Sequence, residues 1–208
     1  MMGSIMLEGR ERWQELMRTW AVDPITASQK FSEVYRCYAG PGRFYHSLDH
    51  VMDVLATVDG LGSYAKHLDA VKLAAWLHDV VYDSRAADNE ERSAGYAERL
   101  CEEFSIPIGG LASSLILTTK SHDAGGDDDA KVLIDADLAI LGAVEMVYRA
   151  YAENIRREYA WVPESEYRTG RRLVLETFLA RPTIFHLLRH LEEPARRNIA
   201  AEIVRLAL

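Results

Sequence analysis

The segment Val71-Lys-Leu-Ala-Ala-Trp-Leu-His-Asp-Val-Val-Tyr82 is apolar around the whole circumference of a helix and ends in a His-Asp doublet, His78-Asp79. A helix with no polar face has no side to offer to water, so other elements must enclose it. The run is too short to cross a bilayer. The chain is therefore expected to wrap other helices around this one segment. Burying an imidazole and a carboxylate at its end costs several kcal/mol unless something pairs with them. A divalent metal satisfies both, because it neutralises the carboxylate and accepts the lone pair of a neutral imidazole.

The remaining sequence reads as helix throughout. Trp13, Leu16, Met17 and Trp20 form one apolar face over Arg10–Trp20. Pro24 interrupts, and Thr26 or Ser28 is a candidate cap for a second helix reaching about Tyr38. Ala39-Gly-Pro-Gly42 breaks the chain before a third helix over Ser47–Val58, which ends at Asp59-Gly-Leu-Gly62. The enclosed helix is expected over Leu68–Val81. Another starts near Asn89 with Ala94, Ala97, Leu100 and Cys101 inward, and the next runs from Pro107 to about His122. Asp123-Ala-Gly-Gly-Asp-Asp-Asp129 reads as a solvated loop. Two long helices, Leu138–Tyr159 and Glu164–Leu179, flank Pro163, and Pro182 and Pro194 bracket short terminal pieces. No hairpin signal, repeat or low-complexity linker is present. The expectation is a single all-α domain over residues 1–208, with its core at about 43–181.

Composition bounds what such a domain can meet. The chain has 208 residues, 49% of them apolar, and a formal net charge of -8. That balance excludes broad binding to nucleic-acid polymers or anionic membranes, which needs a basic face. It leaves room for a small phosphorylated ligand in a local basic pocket. Cys37 and Cys101 lack metal-type spacing and read as thiols rather than a disulfide, as in a reducing cytoplasm. The N-terminal residues turn charged at once, unlike a secretory leader. A soluble, cytoplasmic protein is expected, with homo-oligomer formation open.

Four residues share the buried, metal-ready setting: His50, His78, Asp79 and Asp137. Neighbouring residues on a helix point about 100° apart, so His78 and Asp79 can both reach one ion beside the helix end. Two His and two Asp would leave open positions on a six-coordinate ion. That donor set suits Mn²⁺, Fe²⁺, Co²⁺, Ni²⁺ or Mg²⁺, and open positions suit catalysis. Asp135 and Asp137 would point about 200° apart on a helix, so only one can face the ion. The other is expected to cap or orient a ligand.

His50, His78-Asp79 and Asp137 resemble the H…HD…D pattern of the HD superfamily of metal-dependent phosphohydrolases. The likeness extends to a subfamily described as predicted HD phosphohydrolases. Its segments are Arg43-Phe-Tyr-His-Ser-Leu-Asp-His50, Ala75–Asp83, Asp88-Asn-Glu-Glu-Arg-Ser-Ala94, Leu117–His122, Asp135–Gly142, Ile155–Tyr159 and Tyr167–Arg171. The resemblance implies an HD-domain-like helical bundle with one divalent ion between helices, held by His50, His78, Asp79 and Asp137. His46 is the rival for the first ligand position and Asp135 for the last. It implies hydrolysis of a nucleotide or other small phosphorylated metabolite.

A bound ion lowers the pKa of its water and polarises a phosphoryl oxygen. Asp79 would orient that water. His122 would serve as general acid, and Lys120 would stabilise phosphoryl charge. Arg43, His46, Asn89, Glu90, Arg156 and Arg171 are the candidate substrate contacts. The bland alternative for Arg156 and Arg171 is salt bridging to nearby glutamates. His186 and His190 stand four apart but lack an acidic partner, and Tyr148, Tyr151 and Tyr159 read as core aromatics with hydroxyls reaching out. Two other functions compete. A di-iron HD-fold oxygenase would need further histidines after the doublet, where only His122 is offered. A non-catalytic ligand-sensing module would be at liberty to lose Asp79 or His50.

Overall fold

The structure is a computed structural model that describes residues 2–207, with side chains from residue 4. Those residues form ten α-helices and no strand, as the all-α expectation requires. They cluster into two compact units, divided between Ala136 and Asp137. None of the helices is long and apolar enough to cross a membrane.

The first unit is built around α4 (Leu68–Leu77). Ala70, Val71 and every residue from Leu73 to Leu77 are buried. The helix touches α1 (Met2–Arg18), α3 (Leu48–Leu61), α5 (Asn89–Glu103) and α6 (Gly109–Ser121). Trp76 anchors this arrangement. It meets Trp13 of α1 edge-on at 5.4 Å between ring centroids, and Phe31 of α2 (Pro24–Tyr38) at 6.1 Å. Such aromatic pairs add about 0.5–1.5 kcal/mol each beyond the area they bury. Helices α5 and α6 pack closely because Gly109 has no side chain. A Cβ there would stand 2.9 Å from the Cβ of Cys101.

Several boundaries differ from the sequence reading, each for a local reason. Pro24 begins α2 instead of interrupting a helix, because the first turn needs no N–H. The cap is Asp23, whose carboxylate accepts from the Thr26 N–H at 2.9 Å, and not Thr26 or Ser28. The Asp127–Asp129 run is not loop throughout. Asp127 caps α7 (Asp128–Leu138) by accepting from the Asp129 and Ala130 N–H groups. Asp129 is 2% exposed and reaches the start of α4, accepting from the N–H groups of Lys66 and His67 and from His67 Nδ1. Burial opposes its ionisation, but those donors outweigh it and hold its carboxyl below the ordinary range.

The second unit holds α8 (Glu145–Glu158), α9 (Glu164–Ala180) and α10 (Glu192–Leu206). The helix expected to run from Leu138 to Tyr159 is broken. A tight 3₁₀ turn occupies Ala139–Gly142, and α8 starts only at Glu145. Gly142 lies so close to Leu191 that a Cβ would stand 2.6 Å from that residue's own Cβ. Asn198 Nδ2 donates to the carbonyls of Leu141 and Ala143, which the break releases. The last helix is also longer than the short piece expected, because Pro194 falls in its first turn, where it is tolerated. Tyr148 and Arg171 both bond the buried Glu202, at 2.6 Å and 2.8 Å. Burial pushes the Tyr148 hydroxyl up, so it stays a donor.

Two stability measurements check this account. Removing one partner of a buried ion pair strands the other charge, so Arg171→Met should lower the unfolding free energy by about 3 kcal/mol in urea titration. Asp129 contributes stability that is present above the ordinary aspartate range and lost as pH falls through its depressed folded value. Asp129→Asn should therefore be less stable than wild type at pH 7, with the gap closing on acidification below about pH 3.9.

Candidate metal centre

The centre forms where α4 stops. The sequence reading carried that helix to Val81, but its last helical residue is Leu77, and His78–Val81 form a turn. A helix that ends inside protein must still satisfy its last carbonyls. Here each has a specific donor. The Ala74 carbonyl takes the His78 N–H at 2.8 Å, and the Ala75 carbonyl takes His78 Nδ1 at 3.0 Å. The Tyr38 hydroxyl donates to the Trp76 carbonyl, and the Val80 N–H to that of Leu77. Arg43 donates to the carbonyls of Asp79 and Val80.

Beyond the turn the chain is pinned to α5. Ser93 Oγ bonds both the N–H and the carbonyl of Val81, and the Asn89 side-chain amide does the same for Asp83. Residues four apart on a helix are about 6 Å apart along its axis, and residues two apart on an extended chain about 6.6 Å. The two side chains therefore work as rungs along one stretch of backbone.

This framework brings His50, His78 and Asp137 together. One ligand atom from each lies within 4.8 Å of the others. His50 sits in the first turn of α3, His78 at the end of α4, and Asp137 in the last turn of α7, whose other residues up to Ala136 lie in the first unit. Both histidines are buried. Their Nε2 atoms are 3.1 Å apart. Asp79 Oδ2 lies 3.1 Å from His78 Nε2 and 3.8 Å from His50 Nε2. Burial opposes the charge on Asp79, but His78, His46 and His50 outweigh it and hold the carboxyl well below its usual range.

These donors fit a metal. A carbonyl only accepts, so His78 Nδ1 carries a proton, and Nε2 is the ring nitrogen that faces His50 and Asp79. In its neutral form that tautomer would offer the Nε2 lone pair to an ion. Two imidazoles bound side by side to an octahedral ion at ~2.1 Å would stand ~3.0 Å apart, close to the separation observed. The carboxyl ends of α4 and α7 also favour positive charge.

The structure favours His50 over His46 and Asp137 over Asp135 in this group. His46 instead stacks on Tyr82 at 4.2 Å between ring centroids. Asp135 is fully buried on the same helix as Asp137. The four candidate cations all have partners of their own. Lys120 is paired with Glu91 and bonds the Ala87 carbonyl. Arg156 bonds Glu164 and the carbonyls of Tyr159 and Val162. Arg171 is committed to Glu202, and Arg43 to three carbonyls. For any of them to bind a phosphoryl group, an existing partner must be exchanged. His122 closes α6 in the left-handed conformation, and Glu90 lies in the first turn of α5. His186 and His190 do not share a helix face, since α10 begins only at Glu192.

Sequence reasoning missed Tyr38 and Ser93. Ser93 follows Asn89 by one helical repeat, which is a usable signal. Tyr38 carries none, since it reads as an ordinary apolar residue at a helix end.

No family model matches the chain, and no curated protein or solved structure matches it.

The geometry separates the two aspartates. Asp137→Asn should weaken Mn²⁺ binding at least ~10-fold by titration calorimetry, whereas Asp135→Asn should keep one ion per chain.

Proposed function

We propose that this protein is a metal-dependent phosphohydrolase acting on a nucleotide or other small phosphorylated metabolite. The observation that carries the metal is the convergence of His50, His78 and Asp137, with Asp79 against the same two imidazole nitrogens. The phosphoryl specificity rests on the H…HD…D resemblance. When bound, a divalent ion would supply Lewis acidity at the phosphoryl group and lower the pKa of water.

The chain's own residues do the rest. His50, His78 and Asp137 hold the site, and the Ala75 carbonyl keeps the His78 ring in one tautomer. Asp79 stays ionised at neutral pH, so it can orient water by accepting its hydrogen bond. The buried walls of α3 and α4 limit water around it. Lys120 and His122, both at the end of α6, are the candidates for phosphoryl charge and the leaving oxygen. Cys37 and Cys101 are both free thiols, in keeping with a cytoplasmic setting.

A di-iron oxygenase is a weaker reading. Among the described residues, this is the one group of three or more side chains placed to hold an ion.

The test is phosphate release from a panel of nucleotides and phosphomonoesters, with Mn²⁺ added. Asp79→Asn should lower kcat by ~10²-fold while the far-UV spectrum and Tm stay near wild type. A mutant as fast as wild type would remove Asp79 from the mechanism. Tight binding of these ligands by the wild type with no turnover would instead identify a sensing module.

A further inference from the structure

We infer that Arg43 is the positioning residue of the metal centre, joining the segment that leads into His50 to the turn that carries His78 and Asp79. This rests on the metal reading above but assigns Arg43 a different task from contacting substrate.

The guanidinium lies at a junction. Nη1 donates to the His46 carbonyl at 2.9 Å and to the Asp79 carbonyl at 2.7 Å, and Nη2 donates to the Val80 carbonyl at 3.0 Å. The first acceptor lies four residues before His50, in the turn that leads into α3. The other two belong to the turn that holds His78 and Asp79. Those two segments are otherwise far apart in sequence, and each carries one of the imidazoles whose nitrogens approach to 3.1 Å. The cation is also held between two rings, with Tyr38 at 5.0 Å and Tyr82 at 5.4 Å. Tyr38 in turn donates to the Trp76 carbonyl at the end of α4.

Only a forked, planar donor can do this. Arginine presents several N–H groups in a fixed plane, whereas lysine presents one compact ammonium. Nη1 alone spans the two segments and Nη2 adds the bond to Val80, so a single ammonium, with no second nitrogen, cannot make all three bonds in this geometry. The carbonyls that Arg43 serves lie next to ligand backbone, so their loss would let the doublet turn relax and the His50–His78 separation change. Partners one shell out from a metal typically alter its affinity by about 10–100-fold.

The probe is Co²⁺, whose visible d–d absorption reports ligand geometry, together with Co²⁺ affinity by calorimetry and stability by urea titration. Arg43→Met should weaken Co²⁺ binding ~10-fold or more and shift the d–d bands. Arg43→Lys should fail to restore either. Arg196 is the control, because it also serves backbone carbonyls, those of Leu179, Arg181 and Pro182, but within the second unit. Arg196→Met should lower stability and leave the Co²⁺ spectrum as it is in wild type.

Wild-type affinity and spectrum in Arg43→Met would overturn the inference while leaving the metal reading intact. Should that variant not fold, a wild-type spectrum in Arg43→Lys would overturn it equally. No Co²⁺ binding by the wild type would overturn both.

Discussion

Helix α4 is buried at every residue from Leu73 to its end, and it must stop inside the protein. The first property recruits α1, α3, α5 and α6 around it. The second creates a set of buried carbonyls that no continuing helix can satisfy. The fold answers with Tyr38, Arg43, the His78 ring and the Val80 N–H, each aimed at one or two of those oxygens. The metal-ready turn is a product of that termination. Had α4 continued to Val81, the backbone would have taken up the carbonyls of Ala75, Trp76 and Leu77 itself, and the His78 ring would have had no carbonyl to fix its tautomer.

The same termination explains the electrostatics. A helix end rich in carbonyls is a poor place for a carboxylate and a good one for a cation. Asp79 is nevertheless held ionised there, because His78, His46 and His50 outweigh its burial. The histidines supply that positive charge when protonated, and a divalent ion bound to their neutral form would supply it instead, through two nitrogen donors already 3.1 Å apart. The acidic chain keeps its arginines for structure. Arg43, Arg156 and Arg196 each bond three carbonyls or a mixture of carbonyls and a carboxylate, and Arg171 neutralises the buried Glu202.

Much of this was legible residue by residue. His50, His78 and Asp137 stood out because polar side chains in apolar helical runs need a partner, and the structure brings those three together. The break at Ala139–Gly142 was not legible, since Leu138–Tyr159 has a continuous helical pattern. What interrupts it is the approach of Leu191 to Gly142 and the amide of Asn198, contacts from far along the chain. The Asp127–Asp129 run looked like solvent-exposed loop for a similar reason. Its third aspartate is buried only because the start of α4 lies over it.

Local pattern by itself determined the all-α class, the presence of an enclosed helix starting at Leu68 and the candidate donors. Those follow from hydrophobic period and from the cost of burying charge, and both are properties of short stretches. Tertiary structure alone decided that α4 ends at Leu77, that Asp137 and not Asp135 joins the two histidines, and that Arg43 is spent on backbone. Each of those outcomes depends on which distant group arrives at a given carbonyl or lone pair, and a hydrogen bond between segments leaves no periodic trace in either one.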